Sequence, residues 1–143
     1  MILKLLAAAI LLALTVIVHV VGMTTVFRWV FRLHLRPDAH FWSLTWLVIR
    51  TVWYLIIIHL VEIGIWGLFF WREKCLPDAE SAFYFAGVTY TTVGYGDLVL
   101  PKEWRLLGPV EGLAGILMCG LSTGFFFALV SKLYGPQKKG GSS

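Results

Sequence analysis

The stretch from about Ala79 to Tyr90 (AESAFYFAGVTY) constrains this chain more than any other. It reads as a helix, with Asp78 placed to cap it and Glu80 in the first turn, where the helix dipole favours an acid. At 1.5 Å per residue such a helix is roughly 18 Å long, too short for a hydrocarbon core of about 30 Å. Its neighbours on both sides are apolar runs long enough to cross. A segment so placed has to enter the membrane and turn back, which a bilayer tolerates only where protein surrounds it. The expected fold is an all-α membrane protein with three transmembrane helices and a re-entrant helix between the second and third.

Residues 2 to 22 form the first apolar run. A cleavable signal peptide is the rival reading, but Lys4 alone would serve as its basic region and no A-x-A site precedes Met23, so a retained span is expected. Arg28, Arg32 and Arg36 follow at intervals of four, on one helical face, in an interfacial cuff or a continuation of the first span. A voltage-sensing helix would want arginines at every third position of a long apolar segment. Pro37-Asp38 interrupts, and Asp38 is placed to cap a second span from about Phe41 to Trp71. Trp42 and Trp46 mark one membrane interface for it, Trp66 and Trp71 the other. The third span starts at Gly108-Pro109, with Glu111 at the positive end of the dipole, and runs to about Lys132. Within it Gly120-x-x-x-Gly124 permits close helix approach.

With 59% of its 143 residues hydrophobic, the chain has no room for a soluble catalytic domain. No phosphate loop, metal cluster or nucleophile with a base is apparent, and no enzyme activity is expected. The net charge of +4 is modest, and the basic residues border apolar segments, so nucleic acid is not an expected partner. In the second span Arg50 is near enough to the inner end to snorkel, whereas His59 and Glu62 share a face deeper in the membrane. Two ligands on one helix make a poor metal site; a hydrogen bond to a neighbouring helix is the expected role, with proton sensing the alternative. The two cysteines, Cys75 in an outer loop and Cys119 in a span, are not expected to pair with each other. Cys75 is left as a free thiol or an intersubunit disulfide.

Directly after the short helix comes Thr91-Thr92-Val93-Gly94-Tyr95-Gly96-Asp97. Glycine alone adopts positive φ without steric penalty, so Gly94 and Gly96 allow consecutive backbone carbonyls to turn toward one axis, where they can replace the water around a cation. With the re-entrant helix before it and the apolar helix after it, this run resembles the selectivity filter of the potassium channel pore-domain family. The likeness covers roughly residues 43 to 134, a bacterial-type two-transmembrane pore module with an additional N-terminal transmembrane helix.

The resemblance implies a homotetramer in which K+ ions, the transported species and the only implied cofactor, meet oxygens of Thr92, Val93, Gly94 and Tyr95, with Gly96 shaping the outer mouth. Asp97 would brace the filter. Many relatives pair that aspartate with a pore-helix glutamate, a position that falls here on Val88, and the expected substitute donor is the Tyr84 hydroxyl. Phe83, Tyr84, Phe85 and Tyr95 are expected to pack as a cuff around the filter. Gly120 matches the position at which the inner helix of the family bends to open. With the family filter facing outward, the N-terminus is expected outside and the C-terminus in the cytoplasm of a multi-pass cell-membrane protein. The charges agree: the inner segments hold Arg28, Arg32, Arg36, Lys132, Lys138 and Lys139 against Asp38, and Lys4 alone disagrees. The expected organisation is residues 1–36 as first span and basic helix, 37–134 as pore module, and 135–143 as a flexible tail with no ligand-binding domain after it. A weakly selective cation channel and a non-conducting subunit or scaffold are the alternatives; auxiliary partners and the gating stimulus are left open.

Overall fold

The computed structural model describes residues 2–32 and 41–134. The expected interruption at Pro37-Asp38, Arg36 and the tail lie outside the described residues. Four helices follow in order: α1 (Ile2–Arg32), α2 (Phe41–Arg72), α3 (Ala79–Tyr90) and α4 (Leu107–Tyr134). Among the described residues three of them, α1, α2 and α4, are long and apolar enough to cross a membrane. The chain is thus an all-helical, multi-pass membrane protein. The short helix has the expected limits because its start is chemically marked: the Ser81 N–H donates to Asp78 Oδ1 at 2.8 Å, and Asp78 has the extended backbone of an N-cap.

Of the two readings of the basic segment, the continuation holds as far as Arg32: α1 is one unbroken helix. Gly22 does not break it. It serves contact, since a Cβ there would lie 2.7 Å from Ile58 of α2. From that point α1 runs antiparallel to α2 through a regular set of pairs. Thr15 accepts the Trp66 indole N–H at 3.0 Å, His19 Nδ1 lies 2.9 Å from Glu62 Oε1, and the Trp29 and Tyr54 rings meet edge to face at 5.4 Å. The buried α1 positions Ala8, Leu11, Thr15, His19, Val26 and Val30 recur at three-, four- and seven-residue steps, the spacing of one helical stripe. This contact corrects one expectation. Trp66 is fully buried under α1 instead of belonging to an interfacial belt, whereas Trp42, Trp46 and Trp71 are exposed as a belt requires.

Small residues set how closely α3 approaches its neighbours. Ala82 and Ala86 are fully buried, and a Cβ on Gly67 of α2 would meet the Phe83 ring at 2.7 Å. On α4, Gly108, Gly112 and Gly115 line a groove under Phe85, Thr89 and Tyr90, and Gly115 is so close that a Cβ would sit 1.9 Å from the Tyr90 carbonyl oxygen. The motif expected to permit close approach behaves differently: a Cβ on Gly120 or Gly124 would meet nothing within 4 Å among the described residues. At the other end of α4, the Lys4 ammonium lies 5.3 Å from the centre of the Trp104 ring. The start of α1 therefore shares a membrane face with the loop that follows Asp97, and the one basic residue at odds with the charge pattern has a local aromatic partner.

Cys75 is buried against its own subunit, its N–H bonded to the Phe70 carbonyl at 2.9 Å, and both cysteines are free. Burial, helped by the Glu73 charge, pushes the Cys75 thiol up to about 11. A thiol so held is un-ionised at neutral pH and a poor nucleophile. Maleimide at pH 7.5 is expected to leave Cys75 unmodified in folded protein and to label it after denaturation, as read by mass spectrometry of the peptide. A reductant-sensitive dimer band on a gel would contradict this.

Candidate functional site

Tyr90 ends α3, and the chain turns out of the helix at Thr91 (φ −77°, ψ 0°), whose N–H and Oγ1 both donate to the Gly87 carbonyl, at 3.1 and 2.7 Å. Positive φ then alternates along the loop: Thr92 at 61°, Gly94 at 55° and Gly96 at 76°. The two glycines stand where glycine was expected. Thr92 was not foreseen. A β-branched residue at positive φ is strained by about 1–3 kcal/mol and persists only where its surroundings leave no alternative. Here three successive amides are tied back to the helix: Thr92 N–H to Thr89 O (2.9 Å), Val93 N–H to Val88 O (3.0 Å) and Gly94 N–H to Val88 O (3.2 Å).

These bonds also decide where the oxygens point. No peptide bond is cis, and in a trans unit the carbonyl is directed opposite to the N–H that shares its plane. The carbonyls of Thr91, Thr92 and Val93 accordingly face away from α3. Three negative dipole ends in sequence, at the carboxyl end of a helix, favour a cation.

Val88 contributes its carbonyl as the anchor for two of those amides. Val88 also borders, with Tyr84, Gly96 and Asp97, a cavity of about 120 Å³. Across that space the Tyr84 hydroxyl donates to Asp97 Oδ2 at 2.7 Å, the bond expected from the sequence, while Oδ1 accepts the Leu98 N–H at 3.1 Å. The Tyr84 bond holds the Asp97 carboxyl below its usual range and pushes the phenol above its own.

The aromatic cuff does not form within one chain. Phe83 lies on Gly67, Phe85 packs against Phe70, and Tyr95 and Val93 are 72% and 53% exposed. Every side chain from Thr91 to Asp97 is exposed in the single chain.

Below Tyr90 lies a polar cluster that sequence reasoning found only in part. The expected face carrying His59 and Glu62 exists, and the expected bond to another helix is made twice, to His19 of α1 and by the Tyr90 hydroxyl, which donates to Glu62 Oε2. His59 Nδ1 lies 3.0 Å from Tyr90 Oη and its Nε2 3.1 Å from Ser122 Oγ of α4. His19 adds a third potential metal ligand, with the ligand atoms of His19, His59 and Glu62 all within 4.8 Å of one another. Yet His19 Nδ1 and Glu62 Oε1 are already in contact at 2.9 Å, closer than the edge of about 3.3 Å that a tetrahedral zinc site needs. The geometry is that of shared hydrogens.

Glu111, expected near the positive dipole end of α4, is fully buried, and neither carboxylate oxygen has a hydrogen-bond partner among the described residues. Gly120 is exposed on α4, on a face that no other described part of the chain touches within 4 Å of its would-be Cβ.

A family model described as "Ion channel" matches residues 41–132, which takes in α2, α3, the loop after it and nearly all of α4. No curated protein and no solved structure matches the chain.

Proposed function

We propose, from the premise that this chain belongs to the ion-channel family, that it is a potassium-selective subunit: four copies place the 92–96 loop around one axis and pass K+ passively down its gradient. The observation that carries this reading is the backbone of Thr92, Gly94 and Gly96, whose alternating positive φ comes with amides turned back on α3 and carbonyls turned away. Carbonyls of Thr92, Val93, Gly94 and Tyr95 replace the ion's water, Gly96 shapes the mouth, and Tyr84 with Asp97 braces it from behind. The exposed Val93 and Tyr95 side chains supply the surface that neighbouring subunits cover. The loop faces outward, with the N-terminus outside and the C-terminus in the cytoplasm.

Recording from purified protein in a planar bilayer, with potassium on one side and sodium on the other, tests this directly. A reversal potential far from zero, in the direction of a potassium gradient, is the expected result. A potential near zero would identify a weakly selective cation channel, and absence of barium-sensitive potassium flux would identify a non-conducting subunit. Crosslinking in detergent is expected to stop at four chains.

A further inference from the structure

The helix outside the family match, α1, reaches the polar cluster beneath Tyr90 through His19. His19 touches Glu62 with Nδ1 (2.9 Å) and Ser122 Oγ with Nε2 (3.4 Å); Ser122 Oγ touches His59 Nε2 (3.1 Å); His59 Nδ1 touches Tyr90 Oη (3.0 Å); and the Tyr90 hydroxyl returns to Glu62. Five residues from all four helices close a ring of five links.

Each link requires one hydrogen. The Tyr90 and Ser122 hydroxyls bring one each, two neutral imidazoles bring one each, and an ionised Glu62 brings none, which leaves one link empty. With both neutral imidazoles protonated at Nδ1, the single Ser122 proton faces lone pairs on both Nε2 atoms; the other tautomers move the gap to another link. One additional proton completes every link. With it on His59, Nδ1–H donates to Tyr90, Nε2–H to Ser122, Ser122 O–H to His19, and His19 Nδ1–H to Glu62; moved to His19, it again leaves all five made.

Charge leads to the same count. Glu62 is buried in a membrane-spanning helix, its ion pairs among the described residues are to two histidines, and Cys119 and Glu111 of α4, which also act on this cluster, bring no positive charge. A buried carboxylate needs one compensating charge, and the two imidazoles paired with it are placed to provide it. Imidazole is also intrinsically the stronger base of the two partners.

We propose that α1 positions the filter: through His19 it closes a ring in which the two imidazoles share one extra proton beside an ionised Glu62, and the closed ring fixes Tyr90, two residues before Thr92. Tyr90 is the last residue of α3, and the amides of Thr92, Val93 and Gly94 hang on the turn it terminates. Removal of the proton as pH rises opens a link and leaves a net negative charge beneath the filter. The positioning claim rests on residues 92–96 being the conduction path; the proton count does not.

Glu62→Gln separates the two. A glutamine amide brings the missing hydrogen itself, so all five links close with neutral imidazoles. In a His34→Gln/His40→Gln background, where only the cluster histidines report, 15N NMR at neutral pH is expected to show one imidazolium and one neutral imidazole per subunit, and no imidazolium after Glu62→Gln. Two neutral imidazoles in the parent, or a stoichiometric divalent metal in the purified protein, would overturn the proton site. In bilayers, potassium conduction is expected to fall with rising pH as a one-proton titration, to stay high and lose that dependence in Glu62→Gln, and to drop about tenfold at all pH values in His19→Leu, where a link to a charged group is lost. Wild-type conduction in His19→Leu, or an unaltered pH profile in Glu62→Gln, would overturn the positioning role. A parent that shows the imidazolium but passes no potassium would refute the channel reading and leave the proton site standing.

Discussion

Gly115→Ala is expected to abolish conduction in the assembled protein. The new methyl would lie 1.9 Å from the Tyr90 carbonyl oxygen and 2.8 Å from its carbon. Both are backbone atoms, so no rotamer change relieves the overlap, and α4 or the end of α3 has to move by more than an ångström. Overpacking of this kind costs on the order of 3 kcal/mol, which shifts the population of the native arrangement by about a hundredfold. The shift falls on the residue that leads into the loop. Heat resistance of the tetramer on a gel and potassium flux per unit protein are expected to fall together.

Gly120→Ala in the same helix provides the control. Its Cβ would meet nothing within 4 Å among the described residues, and alanine favours a helix over glycine by about 1 kcal/mol. Its tetramer is expected to be at least as stable as the parent. If Gly120 is where α4 bends, single-channel open probability falls in that variant while stability does not; an unchanged open probability removes Gly120 from the gating mechanism.

The second large effect is expected from Tyr84→Phe, which removes the side-chain donor to Asp97 found among the described residues. The carboxyl is held below its ordinary range, so the bond stabilises the loop above that range and is lost as pH falls through the lowered value. The phenol is held above its ordinary value of about 10, so on that side the bond is lost only as pH rises through the raised value. Between these limits the brace is constant. Without the hydroxyl, Asp97 returns toward the usual carboxylate range of about 4, and loss of open probability on external acidification is expected to begin at higher pH than in the parent. Steady-state open probability is expected to change severalfold while the potassium-to-sodium ratio stays the same, because the Thr92 and Val93 carbonyls are oriented by bonds to α3 that this substitution leaves intact. Unchanged single-channel gating would show that the bond does not brace the loop.

The limits of α3 were legible because their causes are local. Asp78 sits one residue before the first turn, and its side chain accepts the amide three residues on. The Tyr84 to Asp97 bond was legible for a related reason: a missing glutamate at Val88 leaves an acid in want of a donor, and few side chains nearby carry one. What escaped depends on pairs far apart in sequence. His19 and Glu62 are separated by 43 residues and Ser122 and His19 by 103, and nothing in the apolar run around His19 marks it as facing another helix. Trp66 was misplaced for the same reason, since an indole suits an interface and a buried hydroxyl partner equally well. The positive φ of Thr92 is invisible to residue preference because three hydrogen bonds impose it against that preference.

The exposed stretch from Thr91 to Asp97 bears on biogenesis. A lone subunit released into lipid would present several carbonyls to hydrocarbon, each unsatisfied group costing several kcal/mol. In the proposed tetramer, sister copies cover these groups, so insertion of this loop and recruitment of those copies are expected to be one event. The yield of finished pores should depend on how densely new copies are synthesised, and an orphan subunit is the natural substrate for membrane proteolysis.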